Sequence, residues 1–187
     1  LACEDKPEEN VPDTADPTIE DLEEGCFEVD GGDGYRWLND AITVASEGSV
    51  ISMASCELEH EEQVIINKAV SIVGPGSNSF TLVAPVNETA LVISATGASV
   101  SSIAISSTRS GLSIEEAHDV TLSDISIAGV GNYAIKSIDS DNLSISNLSL
   151  VGNGDGALQI DGGSASITDT TMMGNTGTTF AILGGSS

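Results

Sequence analysis

Three carboxylates, Glu115, Asp139 and Asp161, each follow an isoleucine and recur 24 and 22 residues apart. If successive coils of the chain lie on one another as parallel strands, neighbouring carboxylates stand about 4.8 Å apart. Like charges that close, partly withdrawn from water, raise one another's pKa or recruit a cation, and carboxylate oxygens from several coils suit Ca²⁺. A pair at about 5 Å also suits a retaining glycosidase, and a pair one coil further apart suits an inverting one. Glu116, His118, Asp119 and Asp141 fall in the same bends. The plainer alternative is a solvated acidic edge, because every one of these groups lies in a loop of a strongly acidic chain.

Other residue types offer less. His60 lies in the charged stretch Glu57-Leu58-Glu59-His60-Glu61-Glu62, read as a loop, with no second histidine or cysteine at ligand spacing, and His118 is likewise alone; both disfavour zinc. Asp30-Gly31-Gly32-Asp33-Gly34 and Asn153-Gly154-Asp155-Gly156 lack the spaced ligands and terminal glutamate of an EF-hand and read as turns. Arg109, before the strand at Leu112, could meet the Glu115 and Glu116 loop as a surface ion pair. The sequons at Asn87, Asn142 and Asn147 are what a chain rich in Ser and Thr produces by chance.

The elements that would position these residues follow from a recurring phrase. Val100-Ser101-Ser102-Ile103, Leu122-Ser123-Asp124-Ile125, Ile145-Ser146-Asn147-Leu148 and Ile167-Thr168-Asp169-Thr170 are separated by 22, 23 and 22 residues. A period of that length means stacked coils. Each turn offers about three short strands, with apolar alternates pointing inward and most Ser and Thr pointing out. Ser102, Asp124, Asn147 and Asp169 fall in register at one bend, where Asn and Asp tolerate the left-handed backbone and can bond to a neighbouring coil; this ladder is read as structural. Upstream, Val50-Ile51-Ser52-Met53, Val64-Ile65-Ile66, Val70-Ser71-Ile72-Val73 and Phe80-Thr81-Leu82-Val83 read as strands. Before them Trp37, Leu38, Ala41, Ile42 and Ala45 repeat at helical spacing, with Gly48 placed to stop the helix, which is expected to plug one end of the stack.

Composition narrows the partners. The net charge is −24, and 13 carboxylates lie between Glu4 and Asp33 with Lys6 as the only cation among them. Such a surface repels a phosphate backbone, so nucleic acid is not expected as a partner. No apolar run approaches the roughly 18 residues of a membrane span. Residues 1–24 have too few apolar side chains to offset the entropy of ordering and read as an acidic tether. Residues 25–49 then lead into the cap helix, and 50–187 form the coils.

Helix, then Gly48 to Ile51, then Ile66 to Gly74 (Ile-Asn-Lys-Ala-Val-Ser-Ile-Val-Gly), resembles the start of right-handed parallel β-helix proteins of the pectin-lyase-like superfamily. The resemblance covers about residues 32–187 and implies an all-β solenoid with coils of about 22 residues. It implies no activity, because that superfamily includes lyases, hydrolases, adhesins and proteins without catalysis. Its polygalacturonase-like members carry Asp-Asp, Gly-His-Gly and Arg-Ile-Lys, none of which occurs here. Leu1-Ala2-Cys3 resembles the end of a bacterial lipoprotein signal, which implies lipid on Cys3 and leaves Cys26 and Cys56 to form a disulfide in an exported protein. The final strand, Ala181 to Leu183, is followed by Gly184-Gly185-Ser186-Ser187 with no visible cap, so either further chain or another subunit is expected to stack there.

The expectation is an exported or surface-anchored scaffold without catalytic residues, bound to the outer membrane of a bacterium only through its lipid. It would serve adhesion or extracellular assembly, stacking end to end into filaments, with a cell-surface or extracellular protein or glycan as partner. The rival is a polysaccharide-binding module, or the N-terminal part of a polysaccharide lyase or hydrolase. The candidate metal set is Glu115, Asp139 and Asp161 with Ca²⁺.

Overall fold

A computed structural model describes residues 25–53 and 59–183. Three columns of parallel strands run along one axis. The first column holds Val50–Met53, Ser71–Val73, Ser99–Ser101, Thr121–Ser123 and the second halves of two long strands, Tyr133–Ser146 and Gly156–Thr168. The second is a separate six-stranded sheet from Glu59–Glu61 to Thr171–Met173. The third runs from Val64–Ile66 through Leu91–Ile93, Leu112–Glu115 and the first halves of the long strands to Thr178–Leu183.

The repeated phrase stacks as its spacing predicts. Val100, Leu122, Ile145 and Ile167 are register partners on successive coils, and Ile51 and Ile72 continue the column upward. The Ile72 to Val100 step is longer because Gly74 to Phe80 loops out before the strand Thr81–Val83. Inside, aliphatic side chains from all three columns form one continuous cluster. Fully burying each Val, Leu or Ile contributes about 1.5–3 kcal/mol, which is how strands of three residues hold together.

The bend between the first and second columns carries the expected ladder. Ser102, Asp124, Asn147 and Asp169 have φ of 60°, 55°, 53° and 49°. Asn147 Nδ2 donates to Asp124 Oδ1 on the coil above. The amides of Ser102, Asp124 and Asn147 also donate to a carbonyl one coil on, as Asp124 N does to Ser146 O at 3.2 Å. Left-handed backbone is disfavoured for most L-residues and tolerated by Asn and Asp, so three of the four positions carry the side chains the bend prefers.

Helix α1 (Leu38–Val44) buries Leu38, Ala41 and Ile42 and lies against the first strand of the third column. It is tied there at three points. Glu62 Oε2 and Oε1 accept from Leu38 N (3.0 Å) and Asn39 N (3.2 Å) at its start; Asn39 Oδ1 accepts from Ile65 N (3.0 Å); Lys68 Nζ donates to Ala45 O (3.0 Å) at its end. A carboxylate at the N-terminus and an ammonium at the C-terminus match the helix dipole.

Two features differ from the sequence expectation. Phe27–Val29 and Gly34–Tyr35 form an antiparallel hairpin around the Asp30 to Gly34 turn, and Phe27–Val29 pairs antiparallel with Val50–Met53, covering the edge of the first column. Glu59–Glu61 is a strand rather than a charged loop: His60 pairs in register with Leu82 and occupies the slot that Leu82, Ile105, Ile127 and Leu150 fill on later coils. Its ring lies 4.9 Å from Phe27 and 5.2 Å from Trp37, and its Nε2 is 3.0 Å from Glu62 Oε2. The tether at 1–24, Cys3 and Cys56 lie outside the described residues. Cys26 is disulfide-bonded, to a partner outside them.

Candidate functional site

The acidic column is not assembled as expected. In the third column Leu112, Ile135 and Leu158 are partners, so Ile114 meets Ser137 and Ile160, while Glu115 meets Ile138 and then Asp161. Asp139 therefore leaves the column one residue later. It sits in the following bend at φ 48°, level with Glu116 at 52° and Gly162 at 76°, and its carboxylate lies over Gly162. Ile138 stands between Glu115 and Asp161, which are two coils apart, about 9.6 Å at the usual strand spacing. Among the described residues no three His, Cys, Asp or Glu are grouped to hold a metal ion. The proposed set of Glu115, Asp139 and Asp161 is thus corrected by a one-residue register difference. The register partner between Glu115 and Asp161 is an aliphatic residue, which offers no oxygen ligand.

The same register builds a different site. Arg109 O accepts from Asn132 N at 2.7 Å, and Asn132 O from Asp155 N at 3.1 Å, so Arg109, Asn132 and Asp155 form one rail along the axis. Ser113, Lys136 and Gln159, partners on three successive strands, form the floor. Glu115 and Ile138 form the far side, and Ser113 Oγ donates to Glu115 Oε1 at 2.8 Å. With Tyr133, Thr89 and Ser110 these residues line a groove of about 290 Å³ on the outer surface of the third column.

The electrostatics of this groove are unlike the rest of the chain. Of the five Lys and Arg residues, Lys6 lies outside the described residues, Lys68 caps α1, and Arg36 stacks on Trp37 at 5.6 Å. The other two, Arg109 and Lys136, both line the groove. The expected Arg109 ion pair with Glu115 or Glu116 does not form: among the described residues neither Arg109 nor Lys136 has a carboxylate partner. Lys136 is half-buried along the groove.

The other bend on this side is self-satisfied. His118 Nδ1 accepts from Asp141 N at 3.1 Å, Asn142 Nδ2 donates to Asp119 Oδ1 at 3.3 Å, and Ser164 Oγ donates to Asp141 Oδ1 at 3.3 Å. The amides of Asn142 and Asn147 are thereby engaged between coils, while Asn87 lies exposed in a turn.

A second ladder was not foreseen. Asn153 is fully buried, accepts from Val130 N (3.2 Å) and donates from Nδ2 to Asn175 Oδ1 (2.9 Å); Asn175 Nδ2 donates to Leu150 O (3.1 Å). The recurrence of Gly152-Asn153 in Gly174-Asn175, 22 residues later, is the signal that could have found it. Lys136 and Gln159 could have been found as outward alternates aligned with Ser113.

Fold and groove together define a parallel β-solenoid with a lateral site of mixed charge. No protein-family model, curated protein or solved structure matches the chain.

Proposed function

We propose that this chain is an exported or surface-anchored β-solenoid scaffold, of the right-handed, pectin-lyase-like kind, that serves adhesion or extracellular assembly by binding rather than by catalysis. The observation that carries this reading is the groove in which Arg109 and Lys136 have no carboxylate partner among the described residues, in a chain of net charge −24. Arg109 presents a planar fork of donors and Lys136 a point charge, the two kinds of cation that bind anionic or hydroxyl-bearing partners. The disulfide at Cys26 supports export to an oxidising compartment, and Leu1-Ala2-Cys3 supports a lipid anchor on Cys3 in a bacterial outer membrane. Right-handed coiling agrees with the hand that nearly all parallel crossovers adopt. The partner is a cell-surface or extracellular protein or glycan. Binding of labelled protein to intact cells tests the reading: Arg109→Ala with Lys136→Ala abolishes binding if the groove recognises the partner, and unchanged binding overturns it. Labelling with an alkyne fatty acid, lost in Cys3→Ser, tests the anchor.

A polysaccharide-binding role is the second reading, favoured by the hydroxyl and amide groups of Ser113, Asn132, Tyr133 and Gln159 along the same groove. An array of glycans probed with the full chain tests it directly.

A further inference from the structure

We infer that the groove takes a saccharide bearing a single carboxylate between neutral, hydroxyl-rich neighbours. This inference rests on the polysaccharide reading and adds to it the charge pattern of the ligand. Arg109 lies on the rail of one coil and Lys136 on the floor of the next, so two cations from successive coils line one groove. The planar fork of Arg109 suits both oxygens of a carboxylate, and Lys136 adds a point charge beside it.

Anions bound the same space. Glu115 lies on the far side at the level of Arg109, and Asp155 ends the rail two coils below it. A second carboxylate on the ligand would be driven toward one of these, whereas a sugar hydroxyl would donate to it. Uncharged Asn132, Ser113 and Gln159 fill the remaining positions with groups that pair with hydroxyls. The chain as a whole reinforces the choice: 29 acidic residues against 5 basic ones repel a polyanion at long range, while screening over about 8 Å at physiological salt leaves a contact between one carboxylate and Arg109 intact.

Calorimetric titration of the full chain with three oligosaccharides of equal length tests this: one neutral, one identical but for a single internal uronate, and one made wholly of uronates. The singly acidic probe should bind at least about tenfold more tightly than the neutral one, as a charge-assisted bidentate contact requires, and more tightly than the all-uronate probe. Arg109→Gln and Lys136→Gln should each bring the singly acidic probe toward the neutral one's affinity, with the thermal unfolding of the variants unchanged. Equal affinity for the neutral and singly acidic probes overturns the inference and leaves the polysaccharide reading standing, as does tightest binding of the all-uronate probe. No binding of any of the three removes both.

Discussion

Ser137 is fully buried at a position that Ile114 fills on the coil above and Ile160 on the coil below, and its hydroxyl has no hydrogen-bond partner. Because a serine occupies an aliphatic slot, the sequence pattern matches Ile138 to that slot instead, and the acid that follows it is misplaced by one. Leaving a hydroxyl unsatisfied costs about 1–3 kcal/mol, so Ser137→Val is expected to raise the unfolding free energy by roughly 1 kcal/mol after allowance for its extra volume, measured in denaturant. Asp30 is legible only as a turn residue, yet it links the hairpin to the first coil. Its carboxylate accepts from Val50 N at 2.8 Å and from Ser49, and these bonds, the backbone one foremost, hold its pKa below the ordinary 3.8. A folded pKa below the unfolded one contributes stability above the unfolded value that is lost as pH falls through the folded value. Asp30→Asn should therefore flatten the decline in melting temperature between about pH 5 and pH 2; a decline as steep as in the parent removes Asp30 as a contributor.

At the level of elements, α1 was visible from the spacing of Leu38, Ala41 and Ile42, but its anchors were not. Glu62, Ile65 and Lys68 meet it across 23 or more residues of chain, through hydrogen bonds that no local pattern encodes. His60 was hidden for a related reason: Glu59 and Glu61 face out around an inward histidine, so strand alternation is present with an unusual inner residue. The ring then packs against Phe27 and reaches Glu62, joining hairpin, coil and helix. Glu62→Ala and Lys68→Met are each expected to cost about 1 kcal/mol, the usual value of a helix-end partner. Hydrogen exchange should quicken over residues 38–53 while amides of 112–160 keep their protection, because each coil contacts only its neighbours. A uniform acceleration across all coils would show that the cap is not a separate cooperative unit.

For the whole molecule, the two ends of the described stack differ. Hairpin and helix close the first coil, whereas in the last described one Met173, Phe180, Ile182 and Leu183 are exposed and, among the described residues, the strands Thr171–Met173 and Thr178–Leu183 each have one neighbour. Along the sequence the acids are uneven too: 13 carboxylates lie between Glu4 and Asp33, and only Asp169 lies beyond Asp161. If copies assemble end to end, as the proposed function includes, the exposed Met173, Phe180, Ile182 and Leu183 are the apolar face that would meet the next copy. Light scattering across a concentration series should show growing assemblies that Ile182→Lys returns to monomers, and a monodisperse monomer at high concentration would contradict the stacking. The coil period, the left-handed bend ladder and the cap helix were all determined by the sequence alone, because each is a spacing rule acting within one turn or repeated at a fixed interval. Tertiary structure alone decided that Ile138 rather than Asp139 stands between Glu115 and Asp161, and that Arg109 and Lys136 share a groove. Sliding a strand by one residue changes every outward neighbour, and that choice is made by burial summed over three columns, which no single stretch of chain contains.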